Sequence, residues 1–265
     1  MDALSFFDRN PVFTRGEFLA LKNGTRSPLT SRNLLAHHTA TGRLLRVRRG
    51  LYATVPRGVE PCAARFDPYL LATKLAPDAV VAYHAALQFH GKAYSVSNRF
   101  AYLTRRRLRT FRFRDAEFVA VRCPAPLRAL PDLGGGVLDQ PHGGGRMRVT
   151  TLERTLVDVL DAPQHGGGWE EVWRSLESVE FFDLDAVVEY VLKLDSSLTV
   201  ARVGFFLDQH REPLMVEDRH LAALRARVPA QPLYLDRKRE PGKLVRAWNL
   251  VVPERVLSRS WGAVA

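Results

Sequence analysis

The sequence predicts an α+β protein in which a short helix-and-hairpin segment precedes a larger mixed domain with a small sheet. Residues 43–56, RLLRVRRGLYATVP, place two strand-like runs on either side of an Arg-Arg-Gly turn, directly after a helical stretch. Residues 99–123 contain three further strand-like runs, RFAYLT, RTFRFR and EFVAVRC. Four amphipathic helical segments follow within residues 161–230. The order of these patterns gives the fold class.

Length and composition exclude several classes of protein. The chain has 265 residues, of which 46% are hydrophobic and 25% are charged, and this predicts a folded chain with room for two domains. No apolar run is long enough to span a membrane and no signal peptide is recognisable, so we expect a cytoplasmic protein without a membrane partner. Cys62 and Cys123 lack CxxC or CxxH neighbours, which argues against a zinc site and a disulfide framework and favours a reducing compartment. We therefore expect neither a metal nor another cofactor.

The charge is unevenly distributed along the chain. The formal net charge is +11, which favours an anionic partner and a nucleic acid in particular. Residues 1–60 carry 10 Lys and Arg against 4 Asp and Glu, whereas residues 161–230 carry 7 against 13. A polyanion is therefore expected to meet the first half of the chain.

The first sixty residues predict two helices. Thr14 and Glu17 have the spacing of a capping box, so a first helix begins at Thr14 and ends at Asn23–Gly24. A second helix begins near residues 30–31, and Gly42 ends it. Only residues 24–29 remain for a short helix between the two.

The second helix has a face suited to the major groove of DNA. Leu34, Leu35 and His38 fall on one arc, and the opposite face is small or polar. Arginine can bind guanine, asparagine can bind adenine, and alanine lets a helix approach closely. The alternative is an amphipathic helix whose polar face is only solvated. The face consists of Arg32, Asn33, Ala36, His37 and Ala40.

The hairpin that follows is rich in arginine. Arg43, Arg46, Arg48 and Arg49 lie around its turn, where guanidinium groups suit pairing with phosphate. A helix followed by such a hairpin is the plan of a winged helix-turn-helix. The alternative is a charged hairpin that only faces solvent.

The predicted boundary lies at residue 58. Residues 1–58 form the DNA-binding domain and residues 59–265 a C-terminal α/β domain. Within the second domain we expect a mainly antiparallel sheet in residues 66–160, a helical portion in 161–230, and late strands in 231–253 that return to the sheet. The glycine-rich stretch at 131–145 predicts a flexible hairpin or loop.

The helix TLERTLVDVLD begins at a second predicted capping box. Thr150 and Glu153 have the required spacing, and Arg154 and Asp158 are placed for an i,i+4 ion pair.

No catalytic motif stands out. His84 and His90 are six residues apart and do not share a helical face, so a joint metal site on that helix is not expected. Asp236, Glu240 and Lys243 have a grouping seen in nucleases, but such short patterns arise by chance in basic proteins. We therefore expect no enzyme, and a metal-dependent nuclease is the least favoured alternative.

Five blocks in a fixed order resemble one known family. RLLRVRRGLYATVP, AYHAALQFHG, YLTRRRLRTFRFR, VTTLERTLVDVLDAP and LYLDRKREPGKLVRAWNLVVP follow one another along the chain. Together they resemble the AbiEi-type antitoxins, the transcriptional regulators of type IV toxin–antitoxin pairs that act in abortive infection, a form of phage defence. The resemblance extends from about Phe13 to Pro253.

The resemblance implies an autorepressor and its partners. The winged helix would bind inverted repeats of double-stranded DNA in the protein's own promoter, as a monomer or weak homodimer with cooperative binding. The C-terminal domain would counter a nucleotidyltransferase toxin without a stable complex necessarily forming. A regulator of the same fold without a toxin partner is the alternative.

The resemblance also implies which residues meet DNA. The reading helix would supply Arg32, Asn33 and His37, and the wing Arg46, Arg48 and Arg49. Positive charge on the C-terminal domain would add Arg105, Arg106, Arg107, Arg109, Arg112 and Arg114, of which Arg112 and Arg114 are expected to share a strand face. A solubilising sheet face is the alternative for this last set.

Overall fold

The computed structural model describes residues 2–20 and 28–261. The chain is of the α+β class, as predicted, with three sheets among the described residues. It divides into two compact units, each built from several segments. The predicted boundary at residue 58 stays a prediction. In the described part of the chain, no helix is both long and apolar enough to cross a membrane. The first unit comprises Met1–Val81, Asn98–Ala120 and Leu138–Val149, and the second comprises Ala82–Ser97, Val121–Val137 and Thr150–Ala265.

The N-terminal part of the first unit combines helices with a small antiparallel sheet. Its strand order is β1-β3-β2, so the hairpin β2–β3 gains a third strand from near the N-terminus. The predicted hairpin and the two predicted helices are present, whereas α1 and β1 were not predicted. The predicted end of the first helix at Asn23–Gly24, and most of residues 24–29, lie outside the described residues. The elements are α1 (Ala3–Arg9), β1 (Val12–Thr14), α2 (Arg15–Ala20), α3 (Pro28–Ala40), β2 (Leu44–Arg48) and β3 (Leu51–Thr54).

Local interactions explain where these elements begin and end. The Thr14 N–H donates to Glu17 Oε2 at 2.7 Å, and the Glu17 N–H donates to Thr14 Oγ1 at 3.2 Å, so the predicted capping box is formed. The helix itself begins one residue later, because Thr14 also belongs to β1. Gly42 and Gly50 have φ of +74° and +80° at the end of α3 and at the hairpin turn. A side chain with a Cβ is strained in that region, so glycine ends both elements.

The rest of the first unit is one helix and a six-stranded sheet. The strand order is β6-β7-β5-β4-β9-β8. β4 pairs parallel with β9, whereas β4–β5 and β6–β7 are antiparallel. From Val137 onward, the glycine-rich stretch at 131–145 belongs to the hairpin β8–β9, one of its two predicted forms. The elements are α4 (Pro68–Lys74), β4 (Val80–Val81), β5 (Arg99–Thr104), β6 (Phe111–Phe113), β7 (Ala116–Arg122), β8 (Val137–His142) and β9 (Gly145–Thr150).

Helix α4 joins the two sheets of this unit. The Asp67 carboxylate accepts from the N–H groups of Tyr69 and Leu70 at 2.8 and 3.2 Å and caps the helix. Leu70 and Leu71 are buried. α4 contacts β1 of the small sheet and β4 and β5 of the large one. The helix-and-hairpin segment is therefore packed on the rest of its unit.

The second unit is mainly helical. Its strands form a sheet of their own in the order β10-β12-β11. The late strands thus pair with one another, and the expectation that they return to the larger sheet was wrong. The elements are α5 (His84–Phe89), α6 (Leu152–Asp161), α7 (Trp169–Glu177), α8 (Leu184–Lys193), α9 (Ser197–Gln209), α10 (Asp218–Arg225), β10 (Leu233–Tyr234), β11 (Lys243–Val245), β12 (Leu250–Val252) and α11 (Glu254–Leu257).

Helix α6 carries a buried ion pair. Arg154 Nε lies 3.2 Å from Asp158 Oδ2, as the i,i+4 spacing predicted. Tyr190 donates its hydroxyl hydrogen to Asp158 at 2.8 Å. Burial raises the pKa of the Asp158 carboxyl, and the Arg154 charge opposes that rise. Thr151 caps the helix, because its hydroxyl accepts from the Arg154 N–H, so the predicted cap at Thr150 was one residue too early.

Candidate nucleic-acid interface

Helix α3 exposes the face that the sequence predicted for reading bases. Leu35, on the other side of the helix, is 1% exposed. The polar face is therefore exposed to solvent, because the apolar face packs against the core. The exposed residues are Arg32, Asn33, Ala36, His37 and Ala40.

Aromatic side chains hold α3 in place. Leu35 packs in one cluster with Phe6, Phe7, Phe13 and Phe18, which come from α1, β1 and α2. The ring of Phe7 stacks on those of Phe13 and Phe18 at centroid distances of 5.5 and 5.6 Å. Such pairs stabilise by about 0.5–1.5 kcal/mol beyond the area they bury. The orientation of the exposed polar face of α3 thus depends on the unpredicted helix α1.

His38 belongs to this support and not to the exposed face. Its ring meets Phe7 edge-on at 5.0 Å. Burial lowers the pKa of His38, and the charges of His37 and Arg43 lower it further. The imidazole is therefore neutral at physiological pH and suited to packing against an aromatic ring.

Two arginines of the hairpin are free to meet a phosphate. Arg46 on β2 and Arg49 in the turn are exposed. Within residues 2–20 and 28–261, neither guanidinium group has a hydrogen bond or an ion pair. An irregularity in the β2–β3 register falls between Arg46 and Arg48, so strict strand alternation does not relate their side chains.

The other two hairpin arginines are used inside the fold. The Arg43 guanidinium donates to the Val55 carbonyl and to the Asp8 carboxylate. Arg48 donates to the Leu75 carbonyl at the end of α4. Positive charge is favourable at a helix C-terminus, where carbonyl groups lack partners. Arg48 thus fastens the hairpin to α4.

Arg15 is a candidate that the sequence analysis missed. Its backbone N–H donates to the Gly50 carbonyl at 2.8 Å, which brings Arg15 to the hairpin turn. Its side chain is partly exposed, and Nε has no partner among the described residues. No sequence pattern indicated this position, because the pairing of β1 with β3, which brings Arg15 to the hairpin turn, was not predicted.

The loop after β5 holds four exposed arginines. The Arg105 N–H donates to Asp78 at 2.7 Å, and its guanidinium lies 3.9 Å from the same carboxylate. The side chains of Arg106, Arg107 and Arg109 form no hydrogen bond or ion pair with described residues. Three positive charges of this loop are therefore without a counter-ion in the described part of the chain.

The side chains of Arg112 and Arg114, unlike those of the loop, have partners within the fold. Arg112 forms an ion pair with Glu117 at 2.8 Å. Arg114 has a φ of +57° at the β6–β7 turn and donates to the carbonyls of Pro61 and Cys62 at 2.5 and 3.3 Å. Strand alternation ends at Phe113, so the expected common face of Arg112 and Arg114 is not formed.

The carboxylates considered for catalysis have structural partners. Asp236 accepts from the indole N–H of Trp169 at 3.3 Å. Glu240 forms an ion pair with Arg255 at 2.7 Å. No group of three or more His, Cys, Asp or Glu side chains that could hold a metal occurs in the described residues.

Comparison with solved structures identifies a similar fold. The crystal structure of the RV2827C protein from Mycobacterium tuberculosis matches with a TM-score of 0.55 and 20% sequence identity, covering 94% of this chain and 88% of that one. At this identity the likeness concerns the fold alone. No curated protein matches the chain.

Comparison with family models identifies the N-terminal segment. A family described as "Transcriptional regulator, AbiEi antitoxin" matches residues 1–55. This range contains the aromatic cluster, α3 and the arginine-rich hairpin. The resemblance to AbiEi antitoxins inferred from the sequence is thus confirmed for residues 1–55, and it is through this range that the chain matches this family of transcriptional regulators.

Proposed function

We propose that the protein is a sequence-specific DNA-binding regulator whose N-terminal segment acts as a winged helix-turn-helix. One observation carries the proposal: an exposed Arg-Asn-Ala-His face of α3 lies next in the chain to a hairpin with two arginines, Arg46 and Arg49, that have no partner among the described residues, inside the range that matches the regulator family. Helix α3 enters the major groove, and the hairpin lies against the sugar–phosphate backbone.

The two sets of side chains have different roles. Arg32, Asn33 and His37 contact base edges and determine which sequence is bound. Arg46 and Arg49 contact phosphates, which raises affinity for every sequence. Arg15 adds to that contact from the start of α2.

The regulator acts on its own promoter in the cytoplasm. It binds inverted repeats there as a monomer or weak dimer with cooperative contacts, and represses the operon. As an antitoxin of a type IV pair, it counters a nucleotidyltransferase toxin encoded beside it. The match of residues 1–55 to antitoxin regulators supports this part of the proposal.

The first experiment measures binding of the full chain to its own upstream DNA and to a scrambled duplex across a salt series. Tight binding to the upstream duplex, with a steep fall of log K against log salt, is expected because each phosphate neutralised contributes about −0.9 to the slope. Equal and weak binding to both duplexes would refute sequence-specific regulation.

A second experiment tests the antitoxin role separately. The neighbouring reading frame is expressed with and without this chain, and growth is measured. Rescue from a toxic nucleotidyltransferase supports the antitoxin, and it should persist at a promoter that the chain cannot repress. A neighbour of another kind, together with specific DNA binding, would favour a stand-alone regulator.

A further inference from the structure

A cavity of about 520 Å³ lies within the first unit, apart from α3 and the hairpin. It is bounded by residues 62–68, by α4 and by the β6–β7 hairpin. Its volume falls in the range of small-molecule sites, roughly 300–1,000 Å³. It is not used by the function proposed above.

Aromatic side chains form much of its wall. Phe66 and Phe113 lie 5.8 Å apart between ring centroids, and both are half-buried. Phe100 and Leu71 add buried apolar surface. Such walls favour a flat apolar group, which can stack on the rings or meet their edges.

Two guanidinium groups lie among the lining residues. Arg65 is exposed and has no hydrogen bond or ion pair with any residue that the structure describes. Arg114 uses two of its five N–H donors on the carbonyls of Pro61 and Cys62, and no carboxylate among the described residues pairs with it. Guanidinium groups bind carboxylates in a planar, paired geometry.

The net charge of the lining favours a ligand with a single negative charge. Asp115 also lines the cavity, so the lining as a whole carries two positive charges and one negative charge. A monoanion matches that balance better than a phosphate dianion, which Asp115 would repel.

We propose that this cavity binds a small planar aromatic monocarboxylic acid. The ring of the ligand packs against Phe66 and Phe113, and its carboxylate pairs with Arg65, with the free donors of Arg114 in addition. No covalent step is involved.

The experiment uses the full chain and one matched pair of probes, indole-3-acetate and indole-3-acetamide. The two have nearly the same shape and differ in charge. Calorimetric titration is expected to give saturable binding of the acid and about tenfold weaker binding of the amide, because hydrogen bonds to an ionised carboxylate are stronger than those to a neutral amide.

The protein carries its own reporter of where the probe binds. Cys62 lies in the cavity lining and is exposed, whereas Cys123 is buried. Alkylation of the native chain by N-ethylmaleimide, followed by mass spectrometry, therefore measures how accessible the Cys62 thiol is. Indole-3-acetate should slow that alkylation with the same midpoint as the calorimetric titration.

Arg65→Met tests the ion pair. Arg65 is exposed and makes no hydrogen bond or ion pair with the described residues, so the variant should fold normally. It should bind the acid about tenfold more weakly and leave amide binding unchanged. Arg109→Met, which removes an exposed arginine outside the lining, is the matched control and should bind both probes as the parent does.

Three results would overturn the proposal. The first is the absence of saturable binding of the acid up to about 10 mM, a concentration that would fill even a site with a Kd of about 1 mM. The second is equal binding of acid and amide, and the third is binding that neither protects Cys62 nor responds to Arg65→Met. The last would place the probe elsewhere. None of these results depends on DNA.

Discussion

Arginines close together in the hairpin sequence have different environments in the structure. Arg46 and Arg49 are exposed and unpaired within the described residues, whereas Arg48 is bound to the end of α4. A guanidinium that already satisfies a carbonyl must break that contact before it can meet a phosphate. The phosphate-binding role is therefore better assigned to Arg46 and Arg49.

Replacing Arg46 and Arg49 together with Ala should weaken binding to all duplexes alike. The slope of log K against log salt should become shallower by about 2, because two phosphate contacts are lost. Arg48→Ala is the matched control: it should lower the stability of the first unit but leave the slope unchanged. A flatter slope in Arg48→Ala and an unchanged one in the double variant would reverse the assignment.

Asn33 should affect sequence preference more than affinity for random DNA. It is exposed on α3 beside Arg32. Loss of a bidentate contact to a base costs about 1–3 kcal/mol of discrimination. Asn33→Ala should therefore weaken binding to the upstream duplex by that amount and leave binding to a scrambled duplex nearly unchanged. Equal losses on both duplexes would rule out base reading by this residue.

His38 should make the N-terminal segment sensitive to acid. Its pKa in the folded chain is lowered from the ordinary value of 6.5, so the unfolded chain takes up a proton at a higher pH. Stability is then complete above the unfolded pKa and falls as the pH drops from about 6.5 towards the folded pKa. Urea unfolding of the parent and of His38→Gln at pH 7 and pH 5.5 should show the difference in stability shrinking or reversing at the lower pH. A difference that does not change with pH would contradict this.

At the scale of elements, helix α1 is the main feature that the sequence did not reveal. Its seven residues, ALSFFDR, are too few to show a clear helical period. Asp2 accepts from the Ser5 N–H at 2.8 Å and caps the helix. A single capping residue does not by itself predict a helix, because it needs an amphipathic segment after it. The longer amphipathic helices of the second unit were predicted well, because a period of 3.6 residues repeats in them several times.

Phe7→Ala should show how much α1 supports the reading helix. Phe7 is 1% exposed and contacts rings from β1, α2 and α3. Removing a buried phenylalanine side chain costs about 3–5 kcal/mol. Hydrogen exchange should therefore speed up throughout β1–β3 and α3, and specific DNA binding should weaken.

Leu4→Ala is the matched control on the same helix. Leu4 is 47% exposed, and a surface change of this kind alters stability by no more than about 0.5 kcal/mol. If both variants had equal effects on exchange, the aromatic cluster would not be what holds α3.

At the scale of the whole molecule, sequence patterns predicted the positions of strands and helices better than they predicted which strands pair and which side chains bond to one another. The strands RFAYLT and EFVAVRC were found because each is a short run rich in aromatic, β-branched and other apolar residues, which is a local signal, but the separate pairing of the late strands depends on contacts between distant segments. The same limit applies to the candidate site. The exposed face of α3 followed from periodicity, whereas the internal use of Arg43, Arg48 and Arg114 depends on carbonyl groups 12 to 53 residues away.

Part of the net charge of +11 lies outside α3 and the hairpin, in a second basic surface formed by the loop after β5. Arg106, Arg107 and Arg109 in the loop after β5 are exposed and unpaired within the described residues. We expect them to make further phosphate contacts when the full chain is bound to DNA. Replacing all three with Gln should then weaken binding to every duplex and make the salt slope shallower by about 2–3.

Arg112→Gln is the control for this loop. It removes one exposed positive charge from the neighbouring strand, but that charge is already paired with Glu117. Its effect on the slope should be near zero, because a neutralised guanidinium releases no counter-ion from DNA. An unchanged slope in the triple variant would mean that the loop only keeps the chain in solution, and that DNA is held by α3 and the hairpin alone.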